Sequence, residues 1–286
     1  MPITDTELTS LAASHDIISL GMLADEVRRR RHGMRTTFLR VADVPLAPAK
    51  DAGDPAPSPL AGELRIVGTP ASRAAAIQRV TQVAAAANGI ALSGFSLADL
   101  EELSAREGVT LRALLEELRA AGLELVAEAP FDRLHDARRS IEEVNISGLA
   151  LARLTIHQSS SPDPLPALKA VADLQRAVAV IRAFAPLPRT MNPAVPTTGY
   201  DDVKRVALAR VAVDNVPSIQ VDWSRYGPKL AQVALTVGAD DVDAVSAEDD
   251  ESQGRRRAPL EEIQRNIRAA SQEPAERNGR FERISR

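Results

Sequence analysis

The stretch DNVPSIQVDWSRYGPKLAQVALTVGADDVDAV, residues 214–245, contains one full turn of the pattern that organises the chain. Ser218–Asp222 is a short run centred on Ile219 and Val221 and bounded by Pro217, which reads as a strand. Residues 226–237 carry apolar positions at helical spacing, and Asp241–Val245 reads as the next strand. Outward from this unit the alternation continues. Further strands are expected at 36–41, 63–68, 90–95, 123–127, 151–156 and 180–185. Helices are expected at 70–87, 97–121 (broken near Gly108), 133–147, 164–178 and 200–213, with a last one at 259–270 that Pro259 introduces from a first-turn position. Strand then helix, repeated, implies a parallel sheet with right-handed crossovers. Eight strands in that pattern point to an α/β fold, the closed (β/α)₈ TIM-barrel-like form, with an open doubly wound sheet as the alternative.

Two segments depart from the alternation. From Thr4 or Asp5 as a cap, Leu8, Leu11, Ile17, Ile18, Leu20, Leu23 and Val27 form a helical stripe that ends in Arg28–His32 and Gly33. Basic residues in a last turn followed by glycine are an ordinary helix stop; a phosphate-binding patch is the competing reading. Residues 42–62 carry Pro45, Pro48, Pro55, Pro57 and Pro59, a spacing no helix can run through. The expected organisation is an N-terminal helical segment at 1–33, the barrel at 34–250 with a proline-rich loop at 42–62, and a C-terminal helix and tail at 251–286.

Composition narrows the chemistry. With 35 basic and 39 acidic residues among 286, a net charge of −4 argues against a generally basic nucleic-acid binder. No run is long and apolar enough for a membrane span, and the N-terminus lacks the basic and apolar regions of a signal peptide, so the expected location is the cytoplasm. There is no cysteine, which excludes disulfides, thiolate metal sites and a cysteine nucleophile. His15, His32, His135 and His157 include no pair at i, i+3 or i, i+4, so no helical metal pair is expected.

In a barrel, chemistry lies at the C-terminal ends of the strands. That places Arg40, Thr69, Ser96, Glu128, His157, Gln158, Arg189, Asp222, Trp223, Ser246 and Glu248 as candidates, of which some serve only as caps or surface. His157, Glu128 and Asp222 are the acid–base candidates. Thr69 and Ser96 follow strands where backbone N–H groups meet a ligand, although the single glycine of Val67-Gly68-Thr69-Pro70 is far from a phosphate fingerprint. Trp223, Tyr226 and Lys229 sit beside Asp222 and can form a ligand wall; core packing of Trp223 is the alternative. The acids Asp240, Asp241, Asp243 and Glu248–Glu251 lack the pattern of a calcium loop, and most of Glu248–Glu251 reads as a solvated run. No metal site is expected.

Residues 214–243 also resemble the C-terminal barrel region of the menaquinone-pathway radical SAM enzymes, aminofutalosine synthase and dehypoxanthine futalosine cyclase, with relatives in deazaflavin cofactor synthesis. LGMLADEVRRRRHGMRTTFL (20–39) resembles the family's leading helix and first strand. RAFAPLPRTMNP (182–193), GYDDVKRVALARVAVDN (199–215) and LEEIQRNIRAASQEPAERNGRF (260–281) resemble its sixth strand, the following helix and the terminal helix with its tail. The likeness covers 17–40 and 180–281 and is faint between 63 and 160. It implies a radical-SAM-type barrel. The family holds a [4Fe–4S] cluster through Cys-x₃-Cys-x₂-Cys after the first strand, where this chain has the proline-rich loop and no cysteine.

The expectation is therefore a barrel with a degenerate first β/α unit and no cofactor. The [4Fe–4S] cluster is excluded, and S-adenosylmethionine is not counted on because part of its grip is the cluster's open iron. The expected function is that of a cluster-less relative in the futalosine route to menaquinone. Its partner would be a pathway nucleoside or an active radical SAM paralogue, self-association being open, with neither nucleic acid nor membrane. The alternatives are a repurposed lyase or hydrolase, or a structural subunit making contacts through 42–62 and 248–257.

Overall fold

The computed structural model describes residues 3–47, 58–248 and 259–284. The chain begins with α1 (Asp5–Ala13), α2 (Ile17–His32), β1 (Arg35–Pro45) and β2 (Glu63–Val67). It continues as α3 (Arg73–Ala86), β3 (Ala91–Ser96), α4 (Leu97–Arg106), α5 (Leu111–Ala120), β4 (Leu125–Pro130) and α6 (Ala137–Ile146). Then come β5 (Ala150–Leu151), β6 (Leu154–Gln158), α7 (Leu165–Val178), β7 (Ala183–Thr190), α8 (Gly199–Ala212), β8 (Ser218–Asp222) and α9 (Trp223–Thr236). The last elements are β9 (Asp241–Ser246), α10 (Pro259–Ala269) and β10 (Glu273–Arg277).

The strands follow the order β1-β2-β3-β4-β6-β7-β8-β9, and β1 also pairs with β9, which closes the parallel sheet into a (β/α)₈ barrel. The barrel reading of the sequence holds; the open doubly wound sheet is overturned by the β1–β9 pairing. Among the described residues no helix separates β1 from β2. Their strands pair in parallel from Val41↔Glu63 to Pro45↔Val67, and residues 48–57 of the expected proline-rich loop lie outside the described residues.

The chain divides into two compact units. The first comprises Met1–Phe38, Thr155–Val245 and Leu260–Ala275. Its core is formed by Phe184 of β7, Val206 of α8, Ile219 and Val221 of β8, and Leu235 of α9, each at most 1% exposed. The helices start as their sequences dictate. Thr198 and Asp201 make a capping box at α8, and Asp16 accepts from Ser19 N to start α2. That cap, with Ser14 closing α1, splits what the hydrophobic stripe suggests is a single helix over 4–32. The basic end of α2 proves structural. Arg31 donates to Val216 O and Asp214 O, and Arg28 is fully buried against Asp25.

The turn entering β9 is built on Asp240. Its Oδ1 accepts from Ile219 N (2.8 Å) and from Arg210, whose Nε also reaches Gly238 O. Gly238 has φ +108 and a Cβ there would meet Arg210 Cβ at 2.8 Å, so only glycine fits. β10 had no sequence signal. It exists because Glu273 N donates to Met34 O (2.7 Å) along β1, while Thr36 hydroxyl bonds Gln272 beside it.

The second unit comprises Leu39–Leu154, Ser246–Pro259 and Glu276–Arg286. It buries Leu64 and Ile66 of β2, Leu92 of β3 and Val126 of β4 under Leu100 of α4 and Leu114, Leu115 and Leu118 of α5. The break near Gly108 is real: Thr110 caps α5 anew. On the other face of β2 and β3, Glu63 Oε1 accepts from Arg65 Nε (2.8 Å) and Ser93 Oγ (2.6 Å). Burial alone would raise the Glu63 carboxyl, but Arg65 and Arg153 together with these bonds hold it below its ordinary range.

Candidate functional site

The C-terminal ends of β7 and β8 in the first unit carry the densest polar constellation that sequence reasoning singled out. Pairing of Gln220↔Asp241 and Asp222↔Asp243 in β8 and β9 sets these four side chains on one sheet face, opposite Ile219, Val221 and Val242. All four are buried, Asp241 and Asp243 completely. Gln220 Nε2 donates to Asp241 Oδ2 (2.7 Å), and Thr37 hydroxyl donates to Asp241 Oδ1.

At the rim of that face, Arg189 Nη1 donates to Asp222 Oδ2 at 2.6 Å, with both side chains less than a tenth exposed. Asp222 Oδ1 accepts from Ser224 Oγ (2.9 Å) and Arg225 N (3.0 Å), so the carboxylate also caps α9. Tyr226 donates its hydroxyl to Pro188 O (2.7 Å), and Arg225 Nη1 reaches Arg189 O (2.8 Å). Burial pushes the Tyr226 phenol up to about 12, against the pull of Arg189 and Arg225, so it remains a neutral donor at physiological pH. Gly227, with φ +75 and ψ 168, breaks α9 directly after Tyr226 and leaves Trp223–Tyr226 as a separate turn over the strand ends.

Of the expected site residues, Asp222, Trp223 and Tyr226 come together here. Trp223 and Tyr226 are half-buried, and Lys229 is exposed beyond the Gly227 break. His157 is half-buried at the end of β6, and its carbonyl accepts from Thr190 Oγ1 at the end of β7 (2.9 Å). Gln158 Nε2 donates to Met191 O (3.3 Å).

Thr69, Ser96 and Glu128 lie in the other unit. Thr69 donates to Asp99 Oδ2 (2.7 Å), and Ser96 precedes α4 with its Oγ buried and no hydrogen-bond partner. Glu128 is the register partner of Ser96 and alternates to the face opposite Leu125 and Ala127. Arg40, in the same unit, is engaged by Glu276 (2.9 Å), while Ser246 and Glu248 are exposed, Ser246 Oγ donating to Glu248 O (2.7 Å).

Sequence reasoning missed three features. Asp240, Asp241 and Asp243, noted only as members of an acidic cluster without a calcium-loop pattern, are buried; the i, i+2 spacing of Asp241 and Asp243 around Val242 was the signal for a shared face. Residues 249–251 of that cluster and 255–257 lie outside the described residues. The Arg189–Asp222 pair was invisible because 33 positions separate its members. Arg205 follows Asp201, Asp202 and Lys204 in the charged first half of α8 and gave no sign of what it faces.

The fold defines the class first. The chain superposes on methylornithine synthase PylB over 96% of its own length and 95% of that structure, with a TM-score of 0.66 at 12% identity. This likeness shows the fold, a closed (β/α)₈ barrel. Residues 186–285, which carry Arg189, Asp222 and Tyr226, match the family described as the CofH/MqnC C-terminal region. The chain is 27% identical over 190 residues to aminodeoxyfutalosine synthase of Thermus thermophilus, covering 56% of this chain and 50% of that protein. It is 24% identical over 222 residues to cyclic dehypoxanthine futalosine synthase of Streptomyces coelicolor, covering 68% and 55%. By these matches the chain is similar to the menaquinone-pathway radical SAM enzymes, and it has no cysteine. It spans about half the length of the curated relatives it matches.

The sequence offers no thiolate, and among the described residues no group of three or more His, Asp or Glu is placed to hold a metal ion. The donor set does not fit a thiolate-held cluster. Among the described residues no helix is long and apolar enough to cross a membrane.

Proposed function

We propose that the chain binds a nucleoside intermediate of the futalosine route to menaquinone and performs no radical chemistry of its own. The observation that carries this reading is the buried Arg189–Asp222 pair on the face that also holds Asp241 and Asp243, inside the segment that matches the family. Chemically, a nucleoside suits that face. Its sugar hydroxyls can donate to the Asp222, Asp241 and Asp243 carboxylates, its base can accept from Arg189, and Trp223 beside Asp222 offers a ring for stacking. The neutral Tyr226 phenol holds the Pro188 carbonyl and thereby the end of β7. No step is assigned to a cluster or to S-adenosylmethionine, since the cluster's ligands are absent from the chain.

The test is isothermal titration of the purified chain with futalosine and its dehypoxanthinylated product. Binding that is lost in Arg189→Met and retained in Lys229→Met supports the reading. Absence of binding to either nucleoside overturns it. Retention of menaquinone synthesis in a strain deleted for this gene likewise removes the chain from the pathway. If an active, cysteine-bearing relative is captured instead, the partner reading replaces the ligand reading.

A further inference from the structure

A cavity of about 440 Å³ lies wholly within the first unit, among α1, the residues leading into α7, and α8 with the loop before it. Its charged lining is asymmetric. Arg205 is only 4% exposed; its Nη2 donates to Ser159 Oγ (2.9 Å), and its Nε is buried with no hydrogen-bond partner. Half-buried Lys204 donates one of its three ammonium hydrogens to Ser14 O, the C-terminal cap of α1, at 2.7 Å. The acids lining the same cavity are exposed and already engaged as caps. Asp163 Oδ1 accepts from Leu165 N (3.0 Å), and Asp201 Oδ2 accepts from Thr198 N and Oγ1, both at 2.8 Å. Solvent screens them, whereas the two cations are held where screening is weak. The remaining acid near Arg205 is half-buried Asp202, and burial pushes its carboxyl toward the neutral form. Apolar wall is supplied by Ala12, Pro196 and Leu208.

We propose that this cavity is a second ligand site, for a small organic carboxylate with a flat apolar body. The carboxylate lies between Lys204 and Arg205, whose guanidinium fork matches a carboxylate's two oxygens. The body packs against Ala12, Pro196 and Leu208. A cavity of this volume falls in the range of small-molecule sites and admits a single ring with its substituents. The site stands independently of the nucleoside reading, because none of its residues belongs to the Arg189–Asp222 constellation.

The test uses the intact chain with benzoate, its neutral counterpart benzamide, and inorganic phosphate, followed by ligand-observed NMR titration. Benzoate is expected to bind with a dissociation constant on the order of 1 mM, the scale a ligand of its size reaches, and benzamide and phosphate at least about tenfold more weakly. Lys204→Met should weaken benzoate binding about tenfold, and Ala12→Trp, which fills the cavity from α1, should abolish it. Both substitutions lie on partly exposed helix faces, and a melting temperature within about 2 °C of the parent confirms that each variant folds. Absence of benzoate binding, equal binding of benzamide, tighter binding of phosphate, or benzoate binding unchanged in both variants overturns the proposal.

Discussion

Replacing Asp240 with alanine isolates the interaction that ties α8 to the start of β9. The Arg210 and Asp240 side chains are each 1% exposed, and Asp240 Oδ1 serves both Arg210 and Ile219 N. Burial already holds the Arg210 guanidinium below its ordinary value, which marks the cost of keeping that charge from water. Asp240→Ala leaves a buried guanidinium without its counter-charge and an amide without its acceptor. Breaking a buried pair in this way costs about 3–5 kcal/mol, which at roughly 2–4 °C per kcal/mol for a chain of this size lowers the melting temperature by about 6–20 °C. Thermal denaturation followed by far-ultraviolet circular dichroism reads this directly. The double variant Arg210→Met/Asp240→Leu removes both charges and should recover at least about half of the loss, because paired removal avoids the stranded charge. A single variant within about 1 kcal/mol of the parent would refute the argument. So would a double variant less stable than the single, since the loss would then lie in packing.

Gly238→Ala should destabilise by about 2–4 kcal/mol, because φ +108 is strained for alanine and the new Cβ meets Arg210 Cβ at 2.8 Å; urea unfolding checks it, and a neutral result would show that the turn relaxes freely. The lowered Glu63 carboxyl makes a pH prediction. Its folded pKa lies below the unfolded value of about 4.3, so its contribution is present above that pH and disappears as acid titrates the folded group. The stability gap between parent and Glu63→Gln should therefore shrink on acidification from about pH 6 to pH 3, and a gap independent of pH would contradict the assignment.

Much of the barrel was legible because each β/α unit carries its own local evidence. Ser218–Asp222 and Asp241–Val245 read as strands from their apolar alternation, and both stand within one residue of the observed elements. The losses occurred where tertiary contacts decide. Glu273-Pro274-Ala275-Glu276-Arg277 has no strand pattern and becomes β10 by pairing along β1. The helical stripe across Ser14-His15-Asp16 hides a boundary that the Asp16 side chain imposes. The site divided the same way. Asp222 and Tyr226 stood out because a carboxylate and a phenol follow a strand end, but neither the Arg189 partner nor the burial of Asp241 and Asp243 follows from local pattern. A strand's two faces look alike in sequence when both of its neighbours are unknown, so carboxylates turned inward resemble carboxylates turned to solvent.

The central claim, a nucleoside site that persists without a cluster, is tested most directly by titrating futalosine into the intact chain beside its Asp222→Asn variant, with iron and sulfide excluded throughout. The substitution keeps the shape of the α9 cap and removes the charge that faces Arg189. The account predicts saturable binding by the parent and a loss of at least about tenfold in the variant, the scale of one charge-assisted hydrogen bond. Equal binding by both proteins, or binding by neither, would contradict it.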